Sequence, residues 1–391
     1  MEDRDFDAII VGGGHAGTEA ASALARMGFK TLMLCLNLDK IANLPCNPSI
    51  GGSAKGIVVR EIDALGGIEG KLADRCCLQM KVLNLSRGPG VWSMRAQVDK
   101  LDYPKAVKEE ILSTPGLQVR VAQATDLFRR EDGSIGGVIL EDGTRISSRT
   151  VILCTGTHME ATNLRGHTSV SAGPDGEPPS HGISAALERM GIKLFRLKTG
   201  TPPRIKRSSI DFSKLAVQKG TPGFWAFSSD TKQMIPYEDQ IDCYLTYTTP
   251  VTHHLKDSAM YGGLVKGVGP RYCPSIEDKV VRFASHPRHM LFVEPESRHT
   301  DSMYLQGFST SMPEDIQVQM VHSLPGFEQA EFLKYAYAIE YDAIAPLQME
   351  KSMMIRMVPG LFCAGQIVGT SGYEEAAALG LIAAINAARY M

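Results

Sequence analysis

Aromatic residues are scarce, at 7% of the 391 positions, and neither sign of charge dominates, with 41 Lys+Arg against 43 Asp+Glu for a formal net charge of −2. That balance excludes a histone-like polycation and an acidic disordered tail, and the aromatic content argues against an aromatic-rich β-sandwich. The eight cysteines (35, 46, 76, 77, 154, 243, 273 and 363) form no CxxC pair and no Cys/His array. A disulfide-stapled miniprotein and a zinc centre are therefore excluded, no metal is expected, and the thiols should be reduced. Long apolar runs are missing as well. Even the apolar C-terminal stretch carries Gln366, Glu374 and Glu375, so no membrane helix is expected. The acidic opening Met1-Glu-Asp-Arg-Asp-Phe-Asp7 resembles neither a signal peptide nor a transit peptide, which points to the cytoplasm. Glycine is what the chain has in quantity, 38 residues within a composition of 43% hydrophobic and 21% charged. Such a chain suits an open α/β architecture with many strand-to-helix turns, and it is long enough for two domains.

The N-terminal segment supplies the first motif. Phe6 to Val11 predicts a buried strand, Gly12 to Gly17 a turn, Thr18 to Met27 an Ala-rich helix ending at Gly28, and Thr31 to Leu36 the next strand. The turn Gly12-Gly13-Gly14-His15-Ala16-Gly17 is a GxGxxG in the strand–turn–helix setting of a dinucleotide site. Gly12 permits the sharp turn, Gly14 lets a pyrophosphate approach the backbone, and Gly17 lets the helix pack closely with its N-terminus aimed at the anion. The second strand ends Leu34-Cys35-Leu36-Asn37, without the acidic residue that usually takes the ribose hydroxyls. Asn37 is either a neutral substitute for it or an ordinary turn residue.

From Leu117 to Thr150 short alternating strands punctuated by Asp132-Gly133 and Asp142-Gly143 predict a three-stranded β-meander. Thr150 to Gly156 then reads as a buried strand whose tip, at Gly156, faces the same nucleotide. The polar, Pro- and Thr-rich stretch Thr201 to Asp257, with a strand at Ile241 to Thr248, suits an inserted second domain. The chain closes with a strand over 360–364, a turn from Gly365 to Gly372, and a helix from Tyr373 to Arg389. In a doubly wound fold this return places Gly365, Gln366, Gly372 and Tyr373 near the cofactor.

Longer motifs carry a resemblance. Gly12 to Ala21, Cys46-Asn-Pro-Ser-Ile-Gly-Gly52, Val59-Arg-Glu-Ile-Asp-Ala-Leu-Gly-Gly67, Arg95-Ala-Gln-Val-Asp99, Lys198-Thr-Gly-Thr-Pro-Pro-Arg204, Gly269 to Lys279, Gln306-Gly-Phe-Ser-Thr310, Ala364-Gly-Gln366 and Gly372-Tyr-Glu-Glu-Ala376 closely resemble the GidA/MnmG family across essentially the whole chain. That family consists of flavoproteins that modify the wobble uridine of certain tRNAs. The resemblance implies a doubly wound FAD-binding fold of the glutathione-reductase type with an inserted domain: residues 1–203 as the first FAD part, 204–285 as the NADH-binding or substrate insert, and 286–391 as the return.

It further implies that the glycine turn binds FAD, that Ser180 and Gln366 are flavin contacts, and that Thr125 falls near a third. Gly269 to Phe283, with Gly269, Pro270, Arg271, Tyr272, Lys279 and Arg282, matches the NADH segment. Arg271, Lys279 and Arg282 are either cations for a pyrophosphate that the Gly269-Pro270 turn lets approach the backbone or a solvated basic face. Cys46 and Cys273 match the family's catalytic cysteines. The implied reaction adds a carboxymethylaminomethyl or aminomethyl group at uridine C5 from methylenetetrahydrofolate and glycine or ammonium, in a homodimer with a partner GTPase. Full-length relatives continue into a helical C-terminal domain associated with tRNA capture and GTPase docking, and the chain stops short of it at Met391. Folate-dependent uridine methylation and a catalytically incomplete FAD-binding scaffold are the competing expectations. Lys198, Arg204, Lys206 and Arg207 are a candidate basic face for RNA or a solvated one.

Overall fold

The protein is described from a computed structural model, in which residues 5–255, 269 and 274–391 are defined. Its main sheet is parallel, in the order β6-β2-β1-β9-β20, from β1 (Phe6–Val11), β2 (Thr31–Cys35), β6 (Leu117–Val121), β9 (Arg145–Leu153) and β20 (Leu361–Cys363). Alternate residues feed two cores. Ala8, Ile10, Met33, Cys35 and Ile152 face one side of the sheet, while Ile9, Val11, Leu32, Leu34 and Val151 face the other. Burial on both faces is why these strands read as unbroken apolar runs.

The first face is covered by α1 (His15–Arg26) and α9 (Tyr373–Tyr390), whose small residues let the helices touch backbone to backbone. A Cβ on Gly380 of α9 would stand 2.0 Å from the Ala16 carbonyl oxygen of α1. Beside them lie α2 (Lys55–Ala64), α3 (Glu69–Arg75), α4 (Asp102–Ser113) and a small sheet, β3-β5-β4, from β3 (Ser49–Gly51), β4 (Cys77–Leu83) and β5 (Ser93–Val98). The other face is covered by β7 (Ala124–Arg129) and β8 (Ile135–Leu140), backed by α5 (Ile183–Arg189).

Both predicted hairpin turns form, with the Asp132 and Asp142 carboxylates each accepting a backbone N–H two residues on, at 2.9 Å. The three-stranded meander is composed differently from expectation. Leu117 to Val121 leaves it to pair in parallel with β2, and the third strand is β9, which does double duty. Its start pairs antiparallel with β8, and its end pairs in parallel with β1. A continuous strand from Arg145 to Leu153 thus joins meander to core, where the sequence suggested a fresh start at Thr150.

A second, antiparallel sheet, β11-β10-β19-β12, comprises β10 (Thr162–Arg165), β11 (Thr168–Ser171), β12 (Leu194–Thr201) and β19 (Tyr337–Ile344). The inserted domain has its own sheet, β14-β15-β16-β17-β13-β18, from β13 (Arg204–Lys206), β14 (Ala216–Gln218), β15 (Cys243–Tyr247), β16 (Met290–Pro295), β17 (Ser302–Gln306) and β18 (Phe332–Lys334). Its core takes in α7 (Ile276–Arg282) and α8 (Glu314–His322), and α6 (Pro250–Leu255) packs on α8. The boundary expected at 285 therefore falls inside this domain. β13 takes its two neighbours from 302–306 and 332–334, so the insert runs from Arg204 to Lys334 and the return begins at β19.

Candidate active site

The carboxyl ends of β1, β2 and β9 open onto a cleft of about 250 Å³, at the switch point where doubly wound sheets hold their ligands. The backbone of the glycine turn forms its floor. Gly12 has φ +116°, and a Cβ there would stand 2.2 Å from the Cys154 carbonyl oxygen, so only glycine closes this turn. Gly14 is the N-cap of α1, and a Cβ on it would meet no protein atom within 4 Å. The free N–H groups and positive end of a 12-residue helix thus face open space beside bare backbone, a cradle suited to a pyrophosphate.

The helix begins at His15, three residues before the expected Thr18, with Gly14 in extended conformation as its N-cap. Gly13, Ala16, Asn37, Gly156, Ser180, Gly365, Gln366, Gly372 and Tyr373 line the same cleft. Gly17 serves packing instead, since a Cβ there would strike the Gly12 carbonyl at 1.8 Å. The Asn37 side chain accepts the Asp39 N–H at 2.8 Å, so its role as a turn residue and its place at the cleft coexist. Thr125 does not line the cleft. Its hydroxyl donates to the Ile139 carbonyl at 3.4 Å across the β7–β8 hairpin, and Ala122, Gln123 and Ala124 take the lining position.

Cys46 stands in the wall between this cleft and a second, more polar cavity of about 250 Å³. Its sulfur lies 3.1 Å from the Tyr304 hydroxyl of β17 and 3.8 Å from the Gly200 carbonyl. Its N–H donates to the Tyr373 hydroxyl at 3.0 Å, and its carbonyl accepts from Arg204 at 3.3 Å. Cys46 is partly exposed, whereas Cys35, Cys76, Cys77, Cys154, Cys243 and Cys363 are buried. Burial pushes the Cys76, Cys77 and Cys243 thiols up to about 12. Among the described cysteines, Cys46 alone is partly exposed and lines both cavities.

Pro270, Arg271, Tyr272 and Cys273 lie outside the described residues, but Pro274, next in sequence, lines the second cavity with Cys46. Gly269 is exposed. Lys279 lines that cavity too and donates to the Gly307 carbonyl at 2.9 Å. Arg282, on α7, is exposed and lines neither cavity.

Buried charge braces the wall. Lys55 pairs with Glu374 at 3.0 Å and Glu375 at 3.1 Å, and Arg95 with Glu294 at 2.6 Å. Arg204 holds Glu296 at 3.1 Å and the Pro45 carbonyl at 2.6 Å. With only 3% of its surface exposed, Arg204 is interior and leaves the candidate basic face. His15 stacks on Tyr373 with centroids 4.4 Å apart. Burial pulls its imidazole down to about 4 against the raising influence of Glu374, so it is neutral at pH 7 and no anion-binding cation. Tyr304, Lys55, Arg95 and Glu374 were not singled out from sequence as site residues. Each sits within or a few residues from a stretch already quoted for the resemblance, yet only tertiary contact shows where its side chain points.

Sheet order, the glycine turn under α1 and the returning α9 together define an α/β fold of the FAD-dependent oxidoreductase class. Within it, the chain belongs to the GidA family, described as Glucose inhibited division protein A, which matches residues 7–391. It is 54% identical over 390 residues to the tRNA uridine 5-carboxymethylaminomethyl modification enzyme MnmG of Acholeplasma laidlawii, covering 98% of this chain and 62% of that protein. The MnmG of Ureaplasma parvum is 52% identical over 388 residues, 98% of this chain and 63% of that one. A crystal structure of Aquifex aeolicus GidA superimposes with a TM-score of 0.94 at 43% identity, covering 99% and 66% of the two chains. The flavin-dependent brominase Bmp2 shares the fold alone, with a TM-score of 0.51 at 15% identity over 98% of this chain and 79% of that one. The chain therefore spans somewhat less than two thirds of the MnmG relatives it matches. Among the described residues no helix is long and apolar enough to cross a membrane.

Proposed function

We propose that this chain is the flavin-bearing, chemical part of a cytoplasmic enzyme that adds a carboxymethylaminomethyl or aminomethyl group at C5 of a tRNA wobble uridine. NADH, methylenetetrahydrofolate, and glycine or ammonium are its co-substrates, and it works as a homodimer with a partner GTPase. The names of its MnmG relatives supply the substrate class. The observation that carries the reading is Cys46, a partly exposed thiol in the wall shared by a dinucleotide cleft and a polar cavity.

The residues fit FAD: the backbone of Gly12 to Ala16 at the N-terminus of α1 would hold its pyrophosphate, and Gly365, Gln366 and Tyr373 line the same cleft. When bound, FAD supplies two-electron redox chemistry with NADH as hydride donor. The thiolates of Cys46 and Cys273 are the nucleophiles. C5 of uracil attacks electrophiles poorly until a thiolate bonds to C6, sending the C5=C6 electron pair toward O4 as an enolate. C5 then attacks the methylene carbon of the iminium that the one-carbon unit forms with the amine of glycine or ammonium, tetrahydrofolate having left as its nitrogen–methylene bond broke. Loss of the C5 proton to a water base and expulsion of the thiolate restore the double bond. Lys279, which donates to the Gly307 carbonyl, lines the same polar cavity and adds positive charge to it for the enolate. A uracil presented here must leave its base stack.

The test is mass spectrometry of tRNA nucleosides after incubation with this chain, FAD, NADH, methylenetetrahydrofolate, glycine and the partner GTPase, beside a full-length relative. A glycine-derived uridine adduct from the wild type, lost in flavin-bound Cys46→Ser, is the expected result. Formation of 5-methyluridine, or an undiminished adduct in both Cys46→Ser and Cys273→Ser, overturns it. If only the relative makes the adduct while this chain merely oxidises NADH, modification requires parts outside these residues.

A further inference from the structure

Tyr304 sits on β17 of the inserted domain, where Met303 and Leu305 turn into that domain's core and Tyr304 points the other way, toward the loop carrying Cys46. The two residues are 258 positions apart in sequence and 3.1 Å apart at the sulfur and hydroxyl. We propose that Tyr304 is the positioning residue that holds the Cys46 sulfur and stabilises its thiolate by donating the phenolic hydrogen to it. The proposal rests on Cys46 being the nucleophile and specifies how the fold makes it one.

Three observations support it. First, the backbone of Cys46 is fixed independently at both ends, its N–H by Tyr373 and its carbonyl by Arg204, so the sulfur's surroundings are set by the fold. Second, two of the sulfur's contacts have opposite preferences. The Gly200 carbonyl, at 3.8 Å, accepts only from the protonated thiol, whereas the Tyr304 hydroxyl can donate to the thiolate. Third, Tyr304 is 1% exposed. Burial, reinforced by the neighbouring Cys46, pushes its hydroxyl well above the ordinary value, so the phenol keeps its hydrogen and can only share it. The Arg204 guanidinium, 4.9 Å from the Tyr304 ring centroid, places a permanent positive charge beside the pair.

Other groups also face the thiol. Tyr373 and Tyr337 are neutral phenols raised by burial, and Tyr373 uses its hydroxyl on the backbone of Cys46. Across the cavity stand Lys55, Arg95 and Lys279 with the Glu374 carboxylate; Lys55 and Arg95 are held by carboxylates, and Lys279 donates to the Gly307 carbonyl. The Tyr304 hydroxyl touches the sulfur directly, which makes it the contact to remove.

The experiment follows the rate at which iodoacetamide alkylates Cys46 as a function of pH, by peptide mass spectrometry on the flavin-loaded Cys273→Ser chain. Alkylation proceeds through the thiolate, which displaces iodide, so the profile reports ionisation of Cys46 alone. Tyr304→Phe keeps the ring and removes one oxygen. Its midpoint is expected to rise by about one unit, lowering alkylation at neutral pH about tenfold, while Tyr373→Phe moves it less. Replacing Tyr304 by 3-fluorotyrosine, a stronger donor, should move the midpoint down; this second variant decides the matter if Tyr304→Phe does not retain flavin. Unchanged profiles with the folded Tyr304 variants, or a larger shift from Tyr373→Phe, overturn the proposal. The failure of Cys46 as nucleophile would show separately, as undiminished tRNA modification by Cys46→Ser.

Discussion

Glu374, in the first turn of α9, accepts the N–H of Gly51 at 2.6 Å across 323 residues of sequence. Its second oxygen takes Lys55 at 3.0 Å, so the returning helix is pinned to β3 and, through it, to the loop that presents Cys46. The nucleotide cleft and the thiol share one brace. The arrangement explains why two carboxylates, Glu374 and Glu375, open a helix that is otherwise almost wholly apolar: they satisfy a buried N–H and an ammonium, and they sit at the positive end of the helix.

Glu374→Ala should therefore cost about 1–3 kcal/mol, the penalty for leaving the buried Gly51 N–H without its acceptor, because Lys55 is partly exposed and keeps Glu375 at 3.1 Å. Glu374→Gln keeps an acceptor for Gly51 and should cost less. Chemical denaturation of the two variants measures both values, and flavin release should follow the same order. Equal, small losses would mean that Lys55 and Gly51 find other partners.

Much of this was legible in sequence, for identifiable reasons. The glycine turn, both Asp-Gly hairpins and the apolar strands are local patterns, and a buried parallel sheet writes its strands as unbroken apolar runs. The boundary of the insert was not legible, because strand partnership is non-local. Nothing in Arg204-Ile-Lys206 announces that its neighbours are 302–306 and 332–334. Arg204 itself was misleading. In a run with Lys206 and Arg207 it looks like a basic face, yet it is folded inward onto Glu296, 92 residues away. Tyr304 carried no signal at all, since its importance lies in where β17 aims it.

Gly12 and Gly14 should respond differently to the same change. In Gly12→Ala the new Cβ meets the Cys154 carbonyl at 2.2 Å with φ +116°, so the fold itself should lose about 1–3 kcal/mol or more. In Gly14→Val the side chain enters open space at φ −77°, and the chain should melt normally yet carry no flavin. Melting curves and released-flavin fluorescence separate the two. A yellow, stable Gly14→Val protein would place the pyrophosphate elsewhere.

Helix α9 depends on a contact of the same kind. Gly380→Leu pushes a side chain into the Ala16 backbone of α1, where even a Cβ would lie 2.0 Å from the carbonyl oxygen. Backbone cannot rotate aside as a side chain does, so the two helices must part and loosen the Gly365–Gln366 wall of the cleft. A loss above about 2 kcal/mol is expected, with weaker flavin retention. An unaltered melting point would show that α9 docks less closely than the structure places it.

Glu19 makes stability depend on pH in the direction opposite to that of most surface carboxylates. It is 1% exposed on α1, accepting the Ile68 N–H at 2.8 Å and the Glu69 N–H at 2.7 Å. Burial, with the Glu69 charge adding to it, raises its carboxyl to about 8 from an ordinary 4.5. Between those values the unfolded chain has released a proton that the folded chain keeps. The stabilisation from this group is therefore fully present below the unfolded value and is lost as the pH rises through the folded one. Glu19→Gln preserves an acceptor for both N–H groups and cannot ionise. Its stability relative to wild type, followed by urea unfolding, should improve steadily from about pH 5 to about pH 9. A gap that stays constant over that range would mean that Glu19 is already charged in the folded protein and that its two backbone donors outweigh burial.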